Sequence, residues 1–162
     1  MSARRIAPAL LLAGAACSHA KPATFPAPSV RDVAFYPAAS LASLGDSLAA
    51  QNVPARVLGD RGDYQYVVVR RDASGAPERH ARWTDVIIVQ AGTATVLIGG
   101  TLTGQHLESP GEERGGTIAG AEVRTIGAGD LLVIPAGLPH QVQVGSGGSV
   151  RYLVVKAPEP RR

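Results

Sequence analysis

The sequence predicts an all-β domain of short antiparallel strands preceded by one short helix, and three observations carry that expectation. Leu131 to Ile134 is an unbroken apolar run closed by Pro135 and Gly137, the pattern of a buried strand entering a tight turn. Tyr64 to Arg70, YQYVVVR, is aromatic and β-branched, as strands are. The chain carries 19 Gly and 12 Pro at 45% hydrophobic content, which suits strands joined by many turns better than long helices. Its 162 residues are the length of one domain able to bury a substantial core.

In chain order, residues 1–20 stand apart from that domain. Met1 to Arg5 is basic, Ile6 to Ala16 is apolar, and small residues follow, which is the build of an export signal. The apolar run is too short for a stable membrane span. LLAGAAC ends in the single cysteine, Cys17, and resembles a bacterial lipoprotein signal, in which that cysteine is lipidated and becomes the mature N-terminus. Gly14 departs from that pattern, which prefers a larger aliphatic residue there. The alternative is ordinary cleavage after Ala20, and either route exports the protein to the periplasm or, with a lipid and Ser18 after the cysteine, to the outer membrane. A lipidated Cys17 leaves no cysteine for a disulfide, so stability must come from the core. Losing Arg4 and Arg5 with the signal lowers the formal charge from +3 to +1. No basic cluster with interleaved aromatics remains, so nucleic acid is not an expected partner, and a membrane is expected only through the lipid.

Residues 21–38 are rich in Pro, Ala and Ser and read as an extended tether to a domain spanning 39–157. Ser40 precedes Leu41, Leu44 and Leu48, which predicts a short amphipathic helix with Ser40 as N-cap and Asn52, Val53 and Pro54 as its end. Its apolar face is expected against the outside of the β body, which begins near Arg56. Asp72 to Pro77 reads as a turn around Gly75. Asp85 to Gln90 reads as a strand, Ala91 and Gly92 as a turn, and Thr93 to Ile98 as the returning hairpin partner. Residues 99–120 form a long polar, glycine-rich connection containing His106, which is either a lid or a plain surface loop. Strands are expected at Ala121 to Ile126, Leu131 to Ile134, His140 to Val144 and Val150 to Lys156. A tail, 158–162, ends in the solvated basic pair Arg161 and Arg162.

Candidate site residues follow from parity. His140, Val142 and Val144 share one face of a strand while Gln141 and Gln143 share the other, so His140 points to the core. A histidine there is either hydrogen-bonded or holding something, and imidazole is a common metal ligand. Glu78 and His80, two apart, also share a face. Parity does not place Asp85, because a bend must intervene before Val86.

The spacing of Gly129, Pro135, Gly137 and His140 matches the second signature motif of the cupin family without a gap. Residues 78–92, ERHARWTDVIIVQAG, resemble the first motif, which carries two His, a Glu and a Gly. Counting back from Gly92 sets Asp85 at the Glu, His80 at the second His and Glu78 at the first, so two of the three ligand types differ. The resemblance spans Tyr64 to Lys156 and implies a single jelly-roll-like cupin barrel. It also implies a divalent metal, Zn, Mn or Fe, held by His80, His140, Asp85 and Glu78, and a turn role for Asp130. Each buried carboxylate would cost on the order of several kcal/mol uncompensated, and a divalent cation offsets both. The alternative is a pair of neutral core histidines, with Glu78 paired to Arg79 or Arg82 and Asp85 capping a turn. Trp83, between His80 and Asp85, either walls the pocket or is an ordinary core aromatic.

Three functions remain open: a metal-dependent small-molecule enzyme such as a dioxygenase or isomerase, a non-catalytic ligand- or metal-binding module, and a structural envelope protein. A small molecule is the expected partner in the first two, and a homodimer is expected by analogy with small cupins. The sequence has no phosphate loop, dinucleotide fingerprint or serine nucleophile elbow.

Overall fold

The structure, a computed structural model, describes residues 33–60, 62 and 64–159. The expected export signal at 1–20 with Cys17, most of the expected tether at 21–38, and the pair Arg161 and Arg162 lie outside the described residues. The folded body forms one unit, Tyr36–Arg162.

Helix α1 (Ala38–Ala50) starts three residues earlier than an N-cap at Ser40 predicts. Pro37, not Ser40, is the N-cap: its carbonyl accepts the Leu41 N–H at 3.1 Å, and no side chain caps the helix. A proline before the first turn needs no N–H of its own and sets the entry, so Ser40 falls inside the helix. Asn52, at φ 53, ends the element as expected. Leu48 is buried, and α1 lies against strand β2 (Gln65–Arg71), on whose outward parity Val68 is fully buried.

The remaining strands are β1 (Ala55–Asp60), β3 (Glu78–His80), β4 (Trp83–Ile98), β5 (Thr101–Thr103), β6 (His106–Ser109), β7 (Glu112–Arg114) and β8 (Thr117–Ala119). After them come β9 (Glu122–Gly127), β10 (Leu131–Ile134), β11 (His140–Gln143) and β12 (Val150–Pro158). They form a curled antiparallel sheet in the order β1-β2-β12-β4-β11-β3-β7-β6, with β9 and β10 also on β4, and a separate β5-β8 ribbon.

Strand β4 is the spine, and it corrects the expected hairpin. Gly92 does not reverse the chain; the strand runs on through it for 16 residues. The first half pairs with β12 and β10, the second with β9 and β11. At the changeover the register slips between Arg151 and Tyr152, leaving Gln90 as the extra residue of a bulge. Gly92 there has φ +75, and a Cβ would lie 2.0 Å from the Ser149 carbonyl oxygen. The glycine lets one strand bend between two sets of neighbours, which curls the sheet.

Alternate residues of these strands fill the interior. Val67 and Val69 of β2, Ile87 and Val89 of β4, Val142 of β11, and Val150, Tyr152 and Val154 of β12 form one buried cluster with Ala94, Val96, Ile126 and Ile134. The turn before β10 is held as expected of Asp130, whose Oδ2 accepts the Gly127 N–H at 2.7 Å. The 99–120 segment, expected as a loop, instead holds the four short strands β5 to β8. Glycines at 104, 111, 115 and 116, all at positive φ, chain these strands into tight reversals.

Candidate metal centre

Strands β3 and β11 and the near end of β4 bring the four predicted residues together. His140 opens β11 and lies opposite Glu78 of β3. The corner before it is tied down where the Gly137 N–H, at φ +84, donates to the His80 carbonyl at 2.8 Å. Strand β3 lies between β11 and β7, and its bend at 81–82 returns the chain so that Asp85 enters with the inward parity of Ile87 and Val89. One ligand atom from each of Glu78, His80, Asp85 and His140 lies within 4.8 Å of the others. His80, Asp85 and His140 are almost fully buried, at 4%, 4% and 2% exposure.

The hydrogen bonds fix both imidazoles in one orientation. His140 Nδ1 lies 3.1 Å from the Leu138 carbonyl, which only accepts, so this nitrogen carries the proton. His80 Nδ1 donates to the Glu112 carboxylate. Both Nε2 atoms therefore face the cluster, as those of metal-binding histidines do when a second oxygen orients the ring. His140 Nε2 is buried with no hydrogen-bond partner. Its nearest carboxylate oxygens are Glu78 Oε1 at 3.5 Å and Asp85 Oδ2 at 3.6 Å, too far for a good hydrogen bond. Asp85 Oδ2 is also 3.4 Å from His80 Nε2.

Two carboxylates around one imidazole nitrogen create a demand for a cation. Burial alone would raise the Glu78 pKa, but His140 and Arg114 outweigh it and hold the carboxyl down at about 2. Burial is likewise overcome at Asp85, where His140, His80 and Lys156 hold the carboxyl below the usual range. For His140, burial opposes the charged ring, yet Asp85 and Glu78 raise its pKa to about 9. Without a metal the cation is thus a proton on His140. Two imidazole nitrogens and two carboxylate oxygens are also a donor set suited to Zn, Mn or Fe, so the residues fit such an ion.

Three residues of the site were not anticipated. Arg114 pairs with Glu78 at 3.0 Å and Glu112 with His80, because β7 lies in register with β3. Lys156 Nζ reaches Asp85 Oδ1 at 2.8 Å and His80 Nε2 at 2.9 Å. The sequence carried a signal for Lys156, which shares parity with the inward Val150, Tyr152 and Val154. It carried none for β7, whose register with β3 is a long-range property. Arg79 pairs with Glu113 at 2.6 Å and not with Glu78, and Asp85 caps no turn.

A cavity of about 250 Å³ adjoins the cluster, walled by valines of β2, β11 and β12 and bearing Gln65, Arg71 and Tyr152 as further polar groups. Arg71 Nε donates to the Tyr152 hydroxyl at 2.9 Å. Trp83 does not wall this cavity but a neighbouring surface cleft, and His106 is exposed away from it. A larger cleft, about 510 Å³, lies between the end of α1 and residues 70–76 and contains none of the four cluster residues.

No family model and no curated protein matches the sequence. Among solved structures, the chain is similar to BH2720 from Bacillus halodurans, with 16% identity over 74% of this chain and 80% of that one, at a TM-score of 0.52. It is also similar to a cupin 2 conserved barrel domain protein from Rhodopseudomonas palustris, with 20% identity over 67% and 62% of the two chains, at 0.46. The polyketide cyclase RemF from Streptomyces resistomycificus matches with 22% identity over 65% and 66%, at 0.45. The chain thus spans just under two thirds of the length of the last two. The curled antiparallel sheet and the single short helix among the described residues form a jelly-roll-like half-barrel, and the likeness to BH2720 is one of fold.

Proposed function

We propose that this protein is an exported, metal-binding cupin, in which Glu78, His80, Asp85 and His140 hold a divalent ion beside a cavity that takes a small molecule. The observation that carries this reading is His140 Nε2, a buried nitrogen without a hydrogen-bond partner, aimed between two carboxylates whose charge calls for a cation, a proton or a metal ion. Zn, Mn or Fe each suits the donor set, and such an ion would supply Lewis acidity or an oxygen-activating centre. The chain's own residues supply the rest. Glu112 and the Leu138 carbonyl orient the two imidazoles, Arg114 steadies Glu78, and the valine walls limit water. Arg71 and Tyr152 are the polar groups on which a small-molecule ligand would be held. Turnover of that ligand is the favoured reading, because the cavity supplies polar groups beyond the ion's own ligands. Export rests on residues 1–20, with Cys17 as lipid attachment site, and a homodimer is the expected assembly.

The test is elemental analysis of the purified protein beside His80→Ala and His140→Ala. Near-stoichiometric metal is expected in the parent and loss of it in both variants, with the β-rich circular dichroism spectrum retained. No metal in the parent after incubation with Fe, Mn and Zn would sink the reading.

A second reading has its own support. The carboxylates of Glu78, Asp85 and Glu112 face the cations Arg114, Lys156 and protonated His140, so the cluster balances its charge without an ion. On this reading the protein is a metal-free ligand-binding barrel.

A further inference from the structure

Strand β12 places Lys156 inward, one step beyond Val154, and its ammonium lands among the four candidate ligands. An ammonium only donates, so at His80 Nε2 it acts on the lone pair of that nitrogen. That lone pair is the only one an imidazole with a protonated Nδ1 can offer. A metal ion and an N–H cannot share it.

The geometry points to Lys156 as an intramolecular competitor for the metal: its ammonium holds His80 in the metal-free site and must leave His80 Nε2 before that residue can become a ligand. This rests on the metal-binding reading above. The conflict is confined to one atom. Asp85 meets Lys156 through Oδ1 at 2.8 Å and faces the two imidazoles through Oδ2, so Lys156 can release His80 without giving up Asp85. Space for the movement exists. Lys156 lines the barrel cavity and also the neighbouring cleft of about 310 Å³ formed with Gln65, Arg82, Trp83 and Glu112. Its side chain is 21% exposed, so the ammonium already lies near water.

The consequence is a reduced apparent affinity. Metal meets a complete ligand set only in the fraction of molecules whose Lys156 is off His80, and the measured constant is weakened by that fraction. Removing the ammonium removes the reduction.

The experiment uses the full chain, which has two lysines, Lys21 and Lys156. Metal-stripped protein is treated with an amine-acylating reagent with and without zinc, and each site is read by mass spectrometry. Zinc is expected to raise labelling at Lys156 and leave Lys21 unchanged. In parallel, zinc affinity is measured by calorimetry for the parent, K156M and K156R. K156M is expected to bind on the order of tenfold tighter, whereas K156R, which keeps a cation, stays near the parent. Equal or weaker binding by K156M with an unchanged circular dichroism spectrum would overturn the inference and leave metal binding intact. So would Lys156 labelling unmoved by bound zinc, or K156R binding as tightly as K156M. Should K156M fail to fold, the labelling result decides alone. No zinc or manganese binding by parent or K156M would overturn the metal reading and this inference together.

Discussion

His140 and Glu78 link the site to pH, and the signs differ. Glu78 ionises at about 2 in the fold against 4.5 unperturbed, so its pairing stabilises the protein fully above 4.5 and is lost as pH falls towards 2. His140 titrates at about 9 against 6.5, so its contribution is complete below 6.5 and is lost as pH rises through 9. Metal-free protein should therefore melt highest between these limits, with each flank worth on the order of a few kcal/mol. Thermal denaturation from pH 2 to pH 10 checks this. The alkaline decline should vanish in His140→Gln; a decline unchanged in that variant would assign it to another group.

At the scale of elements, the bend in β4 carries the clearest expectation. A Cβ at Gly92 meets a backbone oxygen at 2.0 Å and sits at φ +75, so Gly92→Ala should cost several kcal/mol. Gly137 has φ +84 but open space around it, so Gly137→Ala should cost only about 1 kcal/mol. Urea denaturation of both variants would show the difference, and equal losses would mean that close approach does not matter at Gly92. The same glycine shows where the sequence was ambiguous. Two apolar runs joined by Ala-Gly fit a hairpin and also a bent continuous strand, and only the partners β9 to β12, distant in sequence, decide between them. The strands of 99–120 were hidden for a related reason. Each has three or four residues, too few for an alternating pattern to stand out between glycines. By contrast, β10, β11 and β12 were legible almost to the residue, because each carries an apolar run or a clean alternation.

For the whole molecule, composition and two motif-bearing stretches sufficed to reach an all-β barrel with a flanking helix. Strand parity aimed His140 into the core, and β3 brought Glu78 and His80 to the same cluster. What escaped was the outer ring of Glu112 and Arg114, whose positions depend on register across the sheet. A ligand that binds only the folded state stabilises it by mass action. Zinc or manganese in excess should therefore raise the melting temperature of the parent by several degrees and leave that of Asp85→Asn nearly unmoved. Scanning fluorimetry is sufficient, and an equal rise in the variant would place the bound ion elsewhere. The position of β3 has a kinetic corollary. It meets β11 at a single residue pair and is followed only by β7 and β6 at the end of the sheet, while β4 and β12 sit at its centre. Glu78 and His80 thus ride towards the margin of the sheet, where local opening is expected before the centre opens. An ion held there can enter and leave through local peeling of that margin, on a timescale set by fraying and independent of the far slower unfolding of the barrel.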